Sequence, residues 1–357
     1  MDVWSDIDED EWARSDFTSD IYEISKFTMK CDKLLEAEGT PLQRYRPRYL
    51  IVSDFVQQSW CEQQLLYRLS PEAYLMNAPP GEDVTIQESA AAKEVKDKGS
   101  NIHLMRELEI QVPVVVPVIT REDAWAVKFL NIQAMILAFN SGQCVFREVP
   151  VFGLPLGCGL FLYGIIDELQ YNPHLHTVEI VELKTRKSSH PPKQSQQDKD
   201  KYQVGLYAQI FNELVQGKVT KEMVKKHLGL KLDTPISDGV QKYIHSLHNE
   251  SKYCAYTLGD ILDTVLCQMQ TFTCITQATV EYVHQESKTQ ISSVKVKLDS
   301  DKIKLQFARH CEWWQGERGT TGVDIEDCWK CHYCQFVDLC EWRAMKASQL
   351  TRKGINT

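Results

Sequence analysis

The 357-residue chain contains no run of about 18 consecutive apolar residues, so no segment of it reads as a transmembrane helix. Its first residues lack a hydrophobic stretch and are acidic where a transit peptide would carry arginine. That speaks against a secretory signal and against mitochondrial import, leaving nucleus or cytosol as the expectation. Nowhere does Gly-x-x-x-x-Gly-Lys-Ser/Thr occur, so the chain encodes no phosphate-cradling loop of a nucleotide-driven motor. Positive charge is also in deficit. The formal net charge is −9, but nine acids against Arg14 in residues 1–23 account for −8 of it and leave the body near −1. Asymmetry of this kind marks a separable acidic extension, taken as residues 1–30 and disordered.

What is abundant is cysteine. Twelve cysteines in a chain without export signals point to metal or cluster ligation rather than to disulfides. A hydrophobic content of 43% is enough for a substantial core.

The stretch around which the chain is organised runs from Gly164 to Lys184. Thr177 to Lys184 alternates, putting Glu182 and Lys184 on one face. Gly159 to Ile166 is an almost unbroken apolar run ending in Asp167, and Asn172-Pro173 signals a turn. A hairpin centred on His174 and Leu175 sets Asp167 opposite Glu182. Two carboxylates facing each other on apolar strands repel unless a cation lies between them, and a hard divalent ion is the usual partner. With Lys184 beside them to position a water, the constellation suits metal-assisted phosphodiester hydrolysis. The plainer reading is a surface hairpin with a solvated Glu–Lys pair.

Asp167 followed by Glu182-Leu183-Lys184 resembles the active-site signature of the PD-(D/E)xK nuclease superfamily. His103 resembles the upstream metal-ligand histidine of its RecB-type branch, and Gln203-Val-Gly-Leu-Tyr207 resembles the downstream Gln-x-x-x-Tyr motif. In order and length the whole is similar to the exonuclease V family. The resemblance implies a PD-(D/E)xK restriction-endonuclease-like α/β core, with a mixed central sheet flanked by helices. It implies a Mg2+- or Mn2+-dependent exonuclease acting on single-stranded DNA in repair or genome maintenance. Asp167, Glu182, Lys184, Gln203 and Tyr207 would be catalytic, and His103, Asp167 and Glu182 would hold the metal. With no motor of its own, such a nuclease would act on strands already opened. The competing class is a noncatalytic single-strand-binding adaptor.

Near the C-terminus Cys328, Cys331, Cys334 and Cys340 follow C-x2-C-x2-C-x5-C spacing, which ligation requires and local secondary structure does not. Read locally, these four bind zinc. Read through the resemblance, Cys61 joins Cys331, Cys334 and Cys340 around a 4Fe-4S cluster that ties the N- and C-terminal parts together and leaves Cys328 spare. On this reading residues 31–345 form one nuclease domain and 346–357 a tail.

Between these landmarks, Ser53 is expected to cap a helix carrying Phe55, Val56, Trp60, Leu65 and Leu66 with Cys61 in its middle. A helix is expected over 87–110, an edge strand or connector over 112–119, a helix over 124–140 and a strand over 144–152 in which Arg147 and Glu148 receive no role. The segment after Lys184 reads as a basic loop in which Arg186, Lys187, Lys193, Lys199 and Lys201 contact DNA phosphates. The amphipathic helix is expected from Tyr202 to Val215. Trp313 and Trp314 are assigned to the core. Trp4, Trp12, Phe17 and Tyr22 among the N-terminal acids suit a peptide that docks on a repair partner or covers the protein's own nucleic-acid channel, the alternative being an inert solubilising tail. A monomer is expected.

Overall fold

The computed structural model describes residues 39–79, 84, 86, 90–112, 114–248 and 257–354. The acidic extension and its aromatic residues lie outside these. Within them the elements in order are α1 (Pro41–Tyr45), β1 (Leu50–Ile51), α2 (Val52–Trp60), α3 (Glu62–Leu69), α4 (Pro71–Leu75), α5 (Ala90–Ile110), α6 (Arg121–Asn140), β2 (Val145–Gly153), β3 (Leu162–Asn172) and β4 (Thr177–Arg186). There follow α7 (Gln194–Val215), α8 (Lys221–Leu228), α9 (Asp238–His248), α10 (Leu258–Met269), β5 (Gln277–His284), β6 (Gln290–Lys297), α11 (Ser300–Trp314), a 3-10 segment (Ile325–Tyr333) and α12 (Glu341–Gly354). Helix α12 runs through position 345, where the body was expected to give way to a tail.

The sheet is mixed. The path β1-β3-β4-β5-β6 carries β2 as an additional partner of β3, with β1–β3 and β4–β5 parallel and the other pairs antiparallel. Leu162 and Tyr163 pair with β1 on one edge of β3 and with β2 on the other. Glu168 to Asn172 pair with β4 on the edge that β1 uses. Residues 164–167 of that edge therefore have no partner strand, and the gap opens in the middle of the sheet.

The hairpin register is the expected one from Asn172–Thr177 to Glu168–Val181, but the ladder ends one pair short of Asp167 and Glu182. The cause is a change of partner. Strand β4 already bonds β5 from Ile180 onward and leaves β3, freeing the Leu183 N–H. That N–H donates to Asp167 Oδ2 at 2.8 Å, so the carboxylate bridges the fork.

Helix α7 covers the gap. Tyr207, Ile210, Phe211 and Leu214 are buried along one stripe. A Cβ on Gly164 would lie 2.6 Å from Tyr207 Cε1 and 2.9 Å from Val52 Cγ2, so only glycine lets the tyrosine ring and the start of α2 close over β3 at this point.

Three local expectations change. Ser53 is not the cap of α2; Ile51 is, and Asp54 accepts its N–H at 3.2 Å. The expected single helix is two, because Cys61 adopts φ −166°, ψ 109° and serves as C-cap of α2 and N-cap of α3. Helix α7 begins at Gln194, eight residues before Tyr202, since Gln and Lys favour helix without supplying an apolar stripe. Residues 112 and 114–119 form no strand, which leaves the connector of the two alternatives the sequence offered. The segment 216–257 also holds α9, which apolar spacing did not single out. Trp313 and Trp314 are buried as expected.

Candidate active site

His103 from α5, Glu148 from β2, Asp167 from β3, Glu182 and Lys184 from β4, and Gln203 and Tyr207 from α7 line one cavity of about 370 Å³. The fork places Asp167 and Glu182 on diverging strands, and the period of two keeps Lys184 on the face of Glu182. Lys184 Nζ donates to Glu182 Oε1 at 2.6 Å and to Gln203 Oε1 at 2.8 Å. Gln203 Nε2 in turn donates to the Tyr207 hydroxyl at 3.2 Å. A continuous chain of hydrogen bonds thus fixes the lysine head between a strand and a helix.

Electrostatics are set by burial. It raises the Asp167 and Glu182 carboxyl pKa values, and for Glu182 the neighbouring Asp167 adds to the rise. Burial works against the Lys184 ammonium, but Glu182, Asp200 and Asp167 outweigh it and hold its pKa above the ordinary value. Asp200 is itself fixed by the Tyr282 hydroxyl, which donates to its Oδ2 at 2.9 Å. Burial brings His103 down to about 4, so its imidazole is neutral at physiological pH, with a nitrogen lone pair to offer.

His103, Glu148 and Asp167 each present one ligand atom, and the three atoms lie within 4.8 Å of one another. Glu182 has Oε1 on Lys184 and leaves Oε2 buried with no hydrogen-bond partner. One imidazole and the carboxylates of Glu148 and Asp167 converging on one point fit a divalent cation with oxygen-rich coordination, while Glu182, expected as a ligand, lies outside that group in the same cavity. Glu148 is the residue the sequence reading missed. It stands between the pairs Arg147–Glu168 and Val149–Ile166, hence opposite Asp167. Its φ of 53° is left-handed, an uncommon conformation for a non-glycine residue and one that tends to occur at functional sites.

The cysteines form a second cavity, of about 630 Å³, lined by Cys61, Cys328, Cys331, Cys334 and Cys340. Burial pushes the Cys61 thiol up to about 11, and the sulfurs of Cys334, Cys340 and Cys331 add to the shift. Cys328 is exposed. Among the described residues no three of these sulfurs lie within 4.8 Å of one another. The walls are joined across the sequence. Glu62 binds Arg318 through both carboxylate oxygens at 2.7 Å, Gln63 Nε2 donates to Glu341 Oε1 at 3.0 Å and Gln64 Nε2 reaches Cys334 Sγ at 3.5 Å.

Over residues 40–179, 172–260 and 256–343 the chain matches the family described as "Exonuclease V - a 5' deoxyribonuclease". The chain belongs to the exonuclease V family. The curated relative "Exonuclease V" of Danio rerio is 36% identical over 315 residues, which cover 88% of this chain and 75% of the relative. Among solved structures, "Crystal structure of SSO0001" covers 82% of this chain and 86% of its own at 14% identity and a TM-score of 0.37, too distant to carry an argument. As a member of the exonuclease V family the chain is a nuclease, which removes the noncatalytic adaptor from contention.

In this exonuclease V chain the expected basic loop is dispersed. Arg186 ends β4, with Nη1 3.4 Å from Gln196 Oε1. Lys187 is exposed, and Lys193 caps α7. Lys199 and Lys201 are helical, Lys201 pairing with Asp198 at 3.2 Å. The loop proper is only 187–193. No helix among the described residues is long and apolar enough to cross a membrane.

Proposed function

We propose that this nuclease is a single-strand-specific, Mg2+-dependent DNA exonuclease built on a PD-(D/E)xK core and acting in DNA repair. The observation that carries the reading is the fork between β3 and β4, where Asp167, Glu182 and Lys184 meet beside an orphaned Glu182 oxygen. His103, Glu148 and Asp167, with Glu182 behind them, would hold the cation. A divalent ion there supplies polarisation of a phosphoryl oxygen and a lowered pKa for the attacking water. Lys184 directs its remaining N–H donor toward the reacting phosphate and balances charge developing on it. Gln203 and Tyr207 keep that ammonium in place, and the cavity walls of Ile165 and Leu183 limit water. A single strand is the substrate that suits a pocket recessed within a sheet, since a duplex end would first have to open. The lack of a motor motif leaves that opening to other proteins.

The cysteine cavity suits a 4Fe-4S cluster on Cys61, Cys331, Cys334 and Cys340. The electrostatic coupling of Cys61 to Cys334, Cys340 and Cys331, with Cys328 exposed, supports this ligand set over the four local cysteines. Such a cluster would tie the break between α2 and α3 to the C-terminal segment.

The test is degradation of end-labelled linear and circular single-stranded DNA and of linear duplex with Mg2+, comparing the native chain with Lys184→Ala. Degradation of linear DNA alone, abolished in the variant while binding persists, is the expected result. Cutting of circles at the same rate overturns the exonuclease reading, and equal degradation of duplex overturns strand specificity.

A further inference from the structure

Two tryptophans outside the catalytic cavity, Trp60 and Trp329, meet edge to face with ring centroids 5.6 Å apart and planes at 83°. Three ammonium groups gather over them. Lys193 Nζ lies 4.0 Å from the Trp329 centroid, and Lys330 and Lys199 lie 4.4 and 5.6 Å from that of Trp60. Neither ring is fully buried and Lys193 is exposed. Lys330 is buried and pairs with Asp327 at 2.8 Å, and Lys199 lies within electrostatic reach of Asp200.

The cluster is continuous with the active site. Lys199, Gln203 and Tyr207 follow one another at four-residue intervals on one face of α7. Lys199 lies within electrostatic reach of Lys184 in the catalytic cavity and of Lys330 beside Trp60. From Gln203 to Lys193 the helix rises about 15 Å, the length of a few nucleotides. We infer that Trp60 and Trp329, with Lys193, Lys199 and Lys330, form a stacking platform that holds single-stranded DNA a few nucleotides from the scissile bond. The inference rests on the single-strand exonuclease reading above and adds to it where the strand is gripped.

The chemistry favours this occupant. A base stacked on Trp329 is worth more than the exposed cation–π contact of Lys193, so an arriving strand draws that ammonium from the ring to its phosphates while a base takes the ring face. Every base has such a face, so the grip is indifferent to sequence. Trp60 directly precedes Cys61, and Trp329 stands between Cys328 and Cys331. Whatever fills the cysteine cavity therefore also sets the distance between the two rings.

The experiment measures affinity by fluorescence anisotropy without divalent metal, for a 20-nucleotide single strand and for a mononucleotide too short to span from the catalytic cavity to the platform. Trp329→Ala is expected to weaken binding of the long strand about tenfold and the mononucleotide far less, with Trp329→Phe restoring most of the loss. Lys193→Gln, at an exposed position, is expected to lower the salt slope for the long strand by about 0.7. Unchanged affinity of Trp329→Ala for the long strand overturns the platform. So does equal weakening of both ligands, which marks a general structural defect. Cleavage assayed in parallel keeps the two readings apart. A native chain that degrades no single strand defeats the functional reading, while the metal-free affinities still decide the platform.

Discussion

Lys184 carries the sharpest prediction at the scale of single residues. Its ammonium is held by Glu182 and Gln203 rather than by solvent, so Lys184→Ala removes a preorganised donor. A fall in kcat of about 10²–10³-fold, with DNA affinity nearly kept, is expected in single-turnover cleavage. Glu148→Gln takes away one of the three converging donors. The Mg2+ concentration for half-maximal activity should rise at least about tenfold, which a metal titration reads directly. Gly164→Ala replaces no residue of the site, but its Cβ would meet the site residue Tyr207 as well as Val52. Stability should drop by about 1–3 kcal/mol in urea melts, and activity should drop as well because Tyr207 holds Gln203. Asp167, Glu182 and Lys184 were legible because alternation and a turn signal fix which residues of adjacent strands meet. Glu148 was not, because its position depends on a third strand and its left-handed backbone is marked by no glycine.

At the scale of elements, the break at Cys61 is the feature that apolar spacing could not reveal. Phe55, Val56, Leu65 and Leu66 keep a pattern compatible with one helix, and only the observed extended backbone at Cys61 separates α2 from α3. The break turns the sulfur toward the C-terminal cysteines instead of leaving it along a helix face. Cys61→Ala should therefore lower the melting temperature and abolish any iron–sulfur absorbance, whereas Cys328→Ala should change neither. Loss of colour with Cys328→Ala and its survival with Cys61→Ala would return the assignment to the four local cysteines. The early start of α7 was hidden for the opposite reason. Gln194 to Lys201 has good helix formers but no apolar stripe, and its side chains pair locally, as when Gln194 donates to Asp198 at 2.8 Å.

For the molecule as a whole, the layered α/β architecture was legible in the alternation of strand and helix periodicities. The gap in the sheet edge was not, because it arises from two strands sharing one edge of β3. Stability carries an acid limb of its own. Burial brings His310 down to about 3, and its Nδ1 lies 3.0 Å from the Tyr202 hydroxyl, so the folded chain keeps this imidazole neutral while the unfolded chain protonates near 6.5. The folded pKa is depressed, so this contribution is fully present above about 6.5 and is lost as pH falls toward the folded value. The slope is about 1.4 kcal/mol per pH unit for one proton. The difference in stability between the native chain and His310→Gln, read from denaturant melts at pH 7, 6 and 5, should change by about that amount per unit below pH 6.5.

The walls of the cysteine cavity are joined by contacts such as Gln63 to Glu341, 278 positions apart in the chain. During synthesis Cys61 leaves the ribosome early, while Cys340 follows only after the whole sheet has been translated. The sheet and α7 can thus take shape while the first thiol still waits for its neighbours. Loading of the cavity with the proposed cluster would consequently be an event of the finished polypeptide, with Cys61 unguarded in any nascent chain stalled before residue 331.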